Sequence, residues 1–265
     1  MKFEKSFNFL AAWSKKLEKL PSSGWFTPLA LFGITLAGFG LRLFYLYMDP
    51  MISNDAVFYI EQANLWNQGG WGQLAHDAAW VPPLLPWSMS CGIMLGFSAW
   101  QTGITLSIIA GTLLIPVSFV LSREFFSNGA WPLTAALFTA IIPRFLELSI
   151  QIQRESLYLL FFTLALWGAV KALKSNKDIY WALSGGTVFC TALVRYEALE
   201  MIPFILIFLI FRGIVCQRSY WKSCRNILGY LSGIAVFCGV FSWIIGIPLT
   251  YYTEALFDRI SCMWS

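Results

Sequence analysis

Four short segments of this 265-residue chain carry ionisable side chains where the surrounding sequence is apolar. Asp55 sits in S-N-D-A-V-F-Y-I-E-Q-A, and Arg144 and Glu147 lie one helical turn apart in I-P-R-F-L-E-L-S. Arg154 and Glu155 are adjacent in Q-I-Q-R-E-S-L-Y, and Arg195, Glu197 and Glu200 punctuate L-V-R-Y-E-A-L-E. A charge at the centre of a membrane helix costs at least about 2.5 kcal/mol unless it is paired, hydrated or displaced to the interface, so such residues usually converge on a cavity. A carboxylate held beside an acceptor can take its proton. Arginine meets phosphate through a planar fork and stays charged at any physiological pH. Acids on several segments with arginines beside them are what a site for a phosphorylated lipid and an acceptor requires.

Each segment also has a plainer reading. Asn54 or Asp55 can cap a helix over 56–67, whose stripe is Ala56, Tyr59, Ile60 and Ala63, leaving Glu61 solvated. Glu155 suits a helix N-terminus through its dipole, and Arg195 and Glu197 can snorkel at a tight turn. Arg144 and Glu147 can be a local ion pair, and His76 and Asp77 loop polar groups. His76 is the single histidine, which excludes a multi-histidine metal or haem centre within this chain. Cys91, Cys190, Cys216, Cys224, Cys238 and Cys262 show no CxxC or zinc spacing, so neither a metal cluster nor an obligatory disulfide is expected.

The elements that position these residues follow from composition. The chain is 58% hydrophobic and 17% aromatic but only 12% charged, against roughly a quarter charged in a soluble domain. So few charges cannot clothe a soluble core, which makes this an all-α polytopic membrane protein. Seven spans are expected, at 28–47, 102–121, 129–146, 151–171, 179–196, 199–212 and 226–249. The first, Pro28 to Tyr47, carries Arg42 near its end. Residues 1–26, with basic residues beside an apolar face, read as an interfacial helix. The whole of 1–265 reads as one transmembrane domain without a soluble domain, and 48–100 as its first outer loop with short helices.

The stretch 82–100 decides the topology. If it stays on one side and the N-terminus is inside, 13 of the 18 cations fall on the inner face, as the positive-inside rule requires. If it crossed, Lys171 to Lys177 and Arg212 to Arg225 would face outward. It is therefore read as a re-entrant or interfacial helix, and the acidic segments share the outer side.

In this order the segments resemble the polyprenyl-phosphate-sugar-dependent glycosyltransferases of the GT-C class, in the protein mannosyltransferase and aminoarabinose-transferase-like branch. The resemblance rests on N-D-A-V-F-Y with Ala63 downstream, W-x-P-P-L as Trp80 to Leu84, and S-R-E-F-F. It continues through I-P-R-F-L-E-L-S-I-Q-I-Q-R-E-S-L-Y, with Pro143 and Glu155, and ends in L-V-R-Y-E-A-L-E-M-I-P. It implies inverting transfer of one sugar from a polyprenyl-phosphate carrier to a lipid, glycan or protein acceptor. The site would lie on the outer face of a membrane such as the bacterial inner membrane, and a partner subunit is compatible with it. Asp55 would be the base and Arg195 the phosphate ligand, with Glu155 and Glu147 orienting acceptor or sugar and Arg144 and Arg154 as further cations. Glu197, His76 and Asp77 complete the candidate substrate-binding set. A monophosphate leaving group can be met by arginine, so no metal or other cofactor is expected. The chain departs from the family's pattern in its single acid, where Asp55 follows Asn54, and in stopping at Tyr251 to Ser265. The alternatives are a transporter or lipid-handling subunit, or a truncated, inactive homologue.

Overall fold

In a bilayer the backbone polar groups of an apolar run are satisfied within the run itself, which helices achieve. The computed structural model describes residues 25–48, 53–78, 81–126, 130–175, 177–215 and 220–248, and all regular structure among them is helical. The elements are α1 (Phe26–Met48), α2 (Asn54–Ala78), α3 (Leu84–Met94), α4 (Ala99–Arg123), α5 (Ala130–Ile141) and α6 (Pro143–Ser149). They continue as α7 (Glu155–Ser175), α8 (Asp178–Val194), a 3-10 turn (Tyr196–Glu200), α9 (Met201–Val215) and α10 (Tyr220–Ile245). Of the interfacial helix expected over 1–26, residues 1–24 lie outside the described residues, and Phe26 already opens α1.

Five helices are long and apolar enough to cross a membrane: α1, α4, α7, the Tyr196–Val215 unit and Trp221–Ile245 within α10. The pair α5 and α6 makes a sixth if its 57° bend is counted within one span. The seventh expected span is α8, only 17 residues long. Eleven of those residues are buried, packed chiefly against α7 and α10, so protein rather than lipid sets the length it must match. Leu29, Phe32 and Leu36 on α1 and Phe204, Ile207 and Phe211 on α9 are exposed, as lipid-facing residues are. This is an all-α polytopic membrane protein.

Local sequence explains the interruptions. Pro143 supplies no N–H and holds Ile142 extended at φ −61°, ψ 124°, which ends α5 and starts α6 in a new direction. Helix α3 has 11 residues, about 16 Å at the helical rise, against the ~20 residues that a crossing needs. The chain then turns at Gly96, φ 91°, where only glycine is unstrained. Ser98 and Gln101 form a capping box that launches α4. Segment 82–100 is therefore not one continuous helix.

Two contacts fix the bundle. A Cβ at Gly185 would strike the Tyr230 carbonyl, and one at Gly233 the Ala182 carbonyl, so α8 and α10 touch backbone to backbone. At the end of the bundle away from Asp55, the Lys171 ammonium lies 2.9 Å from Glu124 Oε1, and Arg225 Nε lies 3.1 Å from Asp178 Oδ1.

Arg42 does not sit at a helix end reaching for the interface. It is fully buried, one Nη donates to the Gly38 carbonyl at 2.9 Å, and Gly111 and Ser149 pack beside it. The guanidinium thus lies where α1 and α4 meet the broken α5–α6 unit, next to the C-terminal turn of α6. The partial negative charge of that turn favours a cation.

Candidate active site

The site is assembled from α2, the 150–154 connection into α7, and the kink between α8 and α9. Helix α2 begins one residue before Asp55, and its cap is Ser53, not Asn54 or Asp55: the Ala56 N–H donates to Ser53 Oγ at 3.2 Å. The reason is spacing, since the hydroxyl is three residues before the amide it receives. Asp55 is exposed in the first turn, where the helix dipole favours an anion without any capping duty. The helix runs well past the expected 67 and breaks only at Gly70, φ 64°. His76 and Asp77 lie on the part beyond that break, and their side chains are outside the described residues.

Arg195 ends α8 in an extended conformation, φ −148°, ψ 123°, which throws its side chain across to α7. Its Nη1 is 3.4 Å from Glu155 Oε1 and its Nε is 3.5 Å from Glu197 Oε2. The guanidinium carbon lies 5.4 Å from the centre of the Tyr158 ring, a cation–π contact. Arg195 is therefore held from three sides, with 30% of its side chain exposed, and is not a snorkelling residue. The other oxygen of Glu155, Oε2, is buried with no hydrogen-bond partner among the described residues. Next to Arg195, the Tyr196 hydroxyl donates to the Val81 carbonyl at 3.1 Å, tying this kink to the Pro82–Pro83 loop.

The residue that links α2 to this cluster is Tyr59, 5% exposed. Burial pushes its phenol above the usual range, and the charges that act on it are Arg154, Glu155, Asp55 and Arg195, in that order of strength. Charges from three separate segments thus act on this one buried phenol. Arg154 pairs with no carboxylate among the described residues, while its carbonyl accepts the Tyr158 N–H at 2.8 Å. Arg144 and Glu147 form an exposed i,i+3 pair at 3.3 Å, with side chains 72% and 48% exposed. The structure gives that pair no contact with the Arg195 network.

Sequence reasoning missed Tyr59, Tyr158 and Tyr196 as parts of the site. Tyr59 was legible only as a member of a helical stripe, and an aromatic in an apolar stripe carries no mark of the charges that other segments bring to it.

The fold is that of a polytopic membrane protein in which Arg195 of the α8–α9 kink pairs with Glu155 of α7 and with Glu197. Residues 80–243 match the model of the family described as dolichyl-phosphate-mannose-protein mannosyltransferase. That is more than half of the chain, and the protein belongs to this family, which makes it a membrane glycosyltransferase by family. The match covers Arg154, Glu155, Arg195 and Glu197 and begins after Asp55 and Tyr59. No curated protein matches the chain.

Proposed function

We propose that the protein transfers a single sugar from a polyprenyl-phosphate carrier to a lipid, glycan or protein acceptor, with inversion at C1, on the outer face of the membrane. The observation that supports this most is the Arg195 guanidinium held 3.4 Å from Glu155 and 3.5 Å from Glu197, two carboxylates on different elements, with Asp55 exposed in the first turn of α2. An inverting displacement needs a base on the acceptor side of C1 and cations on the phosphate side. Asp55 takes the proton of the acceptor hydroxyl or amine as its oxygen or nitrogen bonds to C1. The bond from C1 to the phosphate oxygen breaks, and the carrier phosphate leaves with that electron pair toward the arginines.

Arg195 is the principal phosphate ligand in this reading. It is held between Glu155 and Glu197, and the donor phosphate takes over the position of one of these carboxylates on its fork. Glu155, so released, orients the sugar or acceptor. Arg154, paired with no carboxylate among the described residues, adds a second cation. The local pairing of Arg144 with Glu147 accounts for both residues without a place at the reacting atoms.

The direct test is transfer by the purified chain in lipid vesicles, from polyprenyl-phosphate sugars, assayed by mass of the product and of the released carrier phosphate. Absence of transfer from any such donor, with no polyprenyl phosphate bound, would remove the reading. Sidedness has its own test. In a variant with Cys224, which is exposed near the start of α10, as its single cysteine, an impermeant thiol reagent added outside intact cells is expected to leave it unlabelled. In the cysteine-free background, Gln68→Cys on exposed α2 is expected to react. Labelling of Cys224 from outside would place Asp55 and Arg195 on the inner face.

A further inference from the structure

Toward the end of α7 that lies away from Arg195, a groove runs between α4 and α7. Its walls are Pro116, Val117 and Val120 of α4 with Leu164 and Trp167 of α7, and its volume is about 210 Å³. It is open on one side rather than enclosed, and Val120 on its rim is 37% exposed. The short side chains at 116, 117 and 120 do not close the gap to α7. Such walls offer nothing to a polar ligand, and they suit a hydrocarbon chain, which gains contact on every side there.

The same two helix faces carry cations just beyond the groove. On α4, Pro116, Val120 and Arg123 follow one another at i, i+4 and i+7, and on α7, Leu164, Trp167, Lys171 and Lys174 at i, i+3, i+7 and i+10. Glu124 draws the two ends together: Lys171 donates to its Oε1 at 2.9 Å, and Lys174 Nζ lies 3.9 Å from its Oε2. The Lys174 ammonium also stands 5.8 Å from the centre of the Phe125 ring. With Lys177, this corner sets four cations against Glu124, since Asp178 is paired with Arg225. The C-termini of α4 and α7 offset about half a charge each, which leaves about two positive charges over. Arg123 and Lys174 are both exposed.

We propose that this corner binds one anionic glycerophospholipid, with its phosphate at Arg123 and Lys174 and one acyl chain in the groove between α4 and α7. Charge and shape together select this occupant. A free phosphate makes no use of the groove, and a zwitterionic lipid brings a cation of its own toward a corner that is already positive. Depth agrees as well. Lys174 follows Glu155 by 19 residues along α7, about 29 Å at the helical rise, which is close to the ~30 Å of a hydrocarbon core. The lipid therefore belongs to the leaflet opposite the Arg195 cluster, and its binding does not depend on sugar transfer.

The experiment titrates the full chain, purified in a non-ionic detergent, with dioleoyl phosphatidylglycerol or dioleoyl phosphatidylcholine and reads the Kd of the tightest-bound lipid by native mass spectrometry. The wild type is expected to prefer phosphatidylglycerol about 25-fold, about fivefold for each of Arg123 and Lys174. The double variant Arg123→Gln, Lys174→Gln is expected to bring that preference close to one at an unchanged thermal midpoint. Val120→Trp fills the groove and leaves every cation in place, and it is expected to weaken phosphatidylglycerol about threefold, the worth of several lost atom contacts. If that variant fails to fold, Leu164→Phe tests the opposite wall. No preference in the wild type, or an unchanged preference in the double variant, overturns the proposal. So does an unchanged phosphatidylglycerol affinity in the groove variant, which would reduce the site to attraction at a basic surface. Competition by bare polyprenyl phosphate at equal or lower concentration would assign the groove to the carrier and overturn it too.

Discussion

Asp55→Asn is expected to lower sugar transfer at least ~100-fold, the scale that a positioned general base contributes, while the protein inserts and folds as the wild type does. The amide cannot accept the acceptor's proton. Folding is spared because the cap of α2 is the Ser53 hydroxyl and not the side chain at 55. What Asn loses is a favourable carboxylate–dipole interaction at an exposed position, which salt screens. Asp55→Glu is expected to restore part of the rate, since it returns a carboxylate one methylene further out. The measurement is initial transfer rate at saturating donor, at matched amounts of folded protein. Full activity in Asp55→Asn would take the base out of the mechanism. Loss of transport or lipid binding with no transferase activity in the wild type would favour a lipid-handling subunit.

Arg195→Ala is expected to cost 10²- to 10³-fold in transfer, the range seen when one donor aimed at developing charge is deleted. Two effects add. The phosphate loses its ligand, and Glu155 and Glu197, now held 3.4 and 3.5 Å from the same guanidinium, are left facing each other without it. Arg195→Lys keeps the charge but not the fork. Nη1 and Nε serve different carboxylates, and a single ammonium cannot reproduce both contacts together with the cation–π contact to Tyr158. An intermediate loss is expected there, expressed mainly in the KM for the donor. Activity equal to wild type in both variants would leave Arg195 as a brace between α7, α8 and the 3-10 turn.

The positions of the helices were largely legible, and their continuity was not. Apolar runs at 102–121 and 226–249 lie within α4 and α10, because a run of that length has no alternative to a helix in lipid. The run at 129–146 looked continuous, yet Pro143 breaks it and leaves α5 and α6 at 57°. Hydropathy counts side chains and does not register one missing N–H. At 179–196 the residues are apolar enough, but α8 is short because protein surrounds it.

For the site, the residue types of Asp55, Arg154, Glu155 and Arg195 and their order along the chain were legible in the sequence by themselves, as ionisable groups interrupting apolar runs. Which of them meet was decided by the tertiary structure. Arg195 and Glu155 are 40 residues apart and touch because Arg195 leaves α8 in an extended conformation beside the first turn of α7. Arg144 and Glu147 have the same residue types, and they stay apart because α6 turns them to an exposed face where a neighbour one turn away suffices. Arg42 shows the same division from the other side. Sequence put a cation near the end of a span, and only the packing of α1 against Gly111 and Ser149 made it a buried one. Local periodicity fixes which face of a helix a residue lies on, whereas the partner on that face comes from a distant part of the chain, and the energy of a charge depends on the partner.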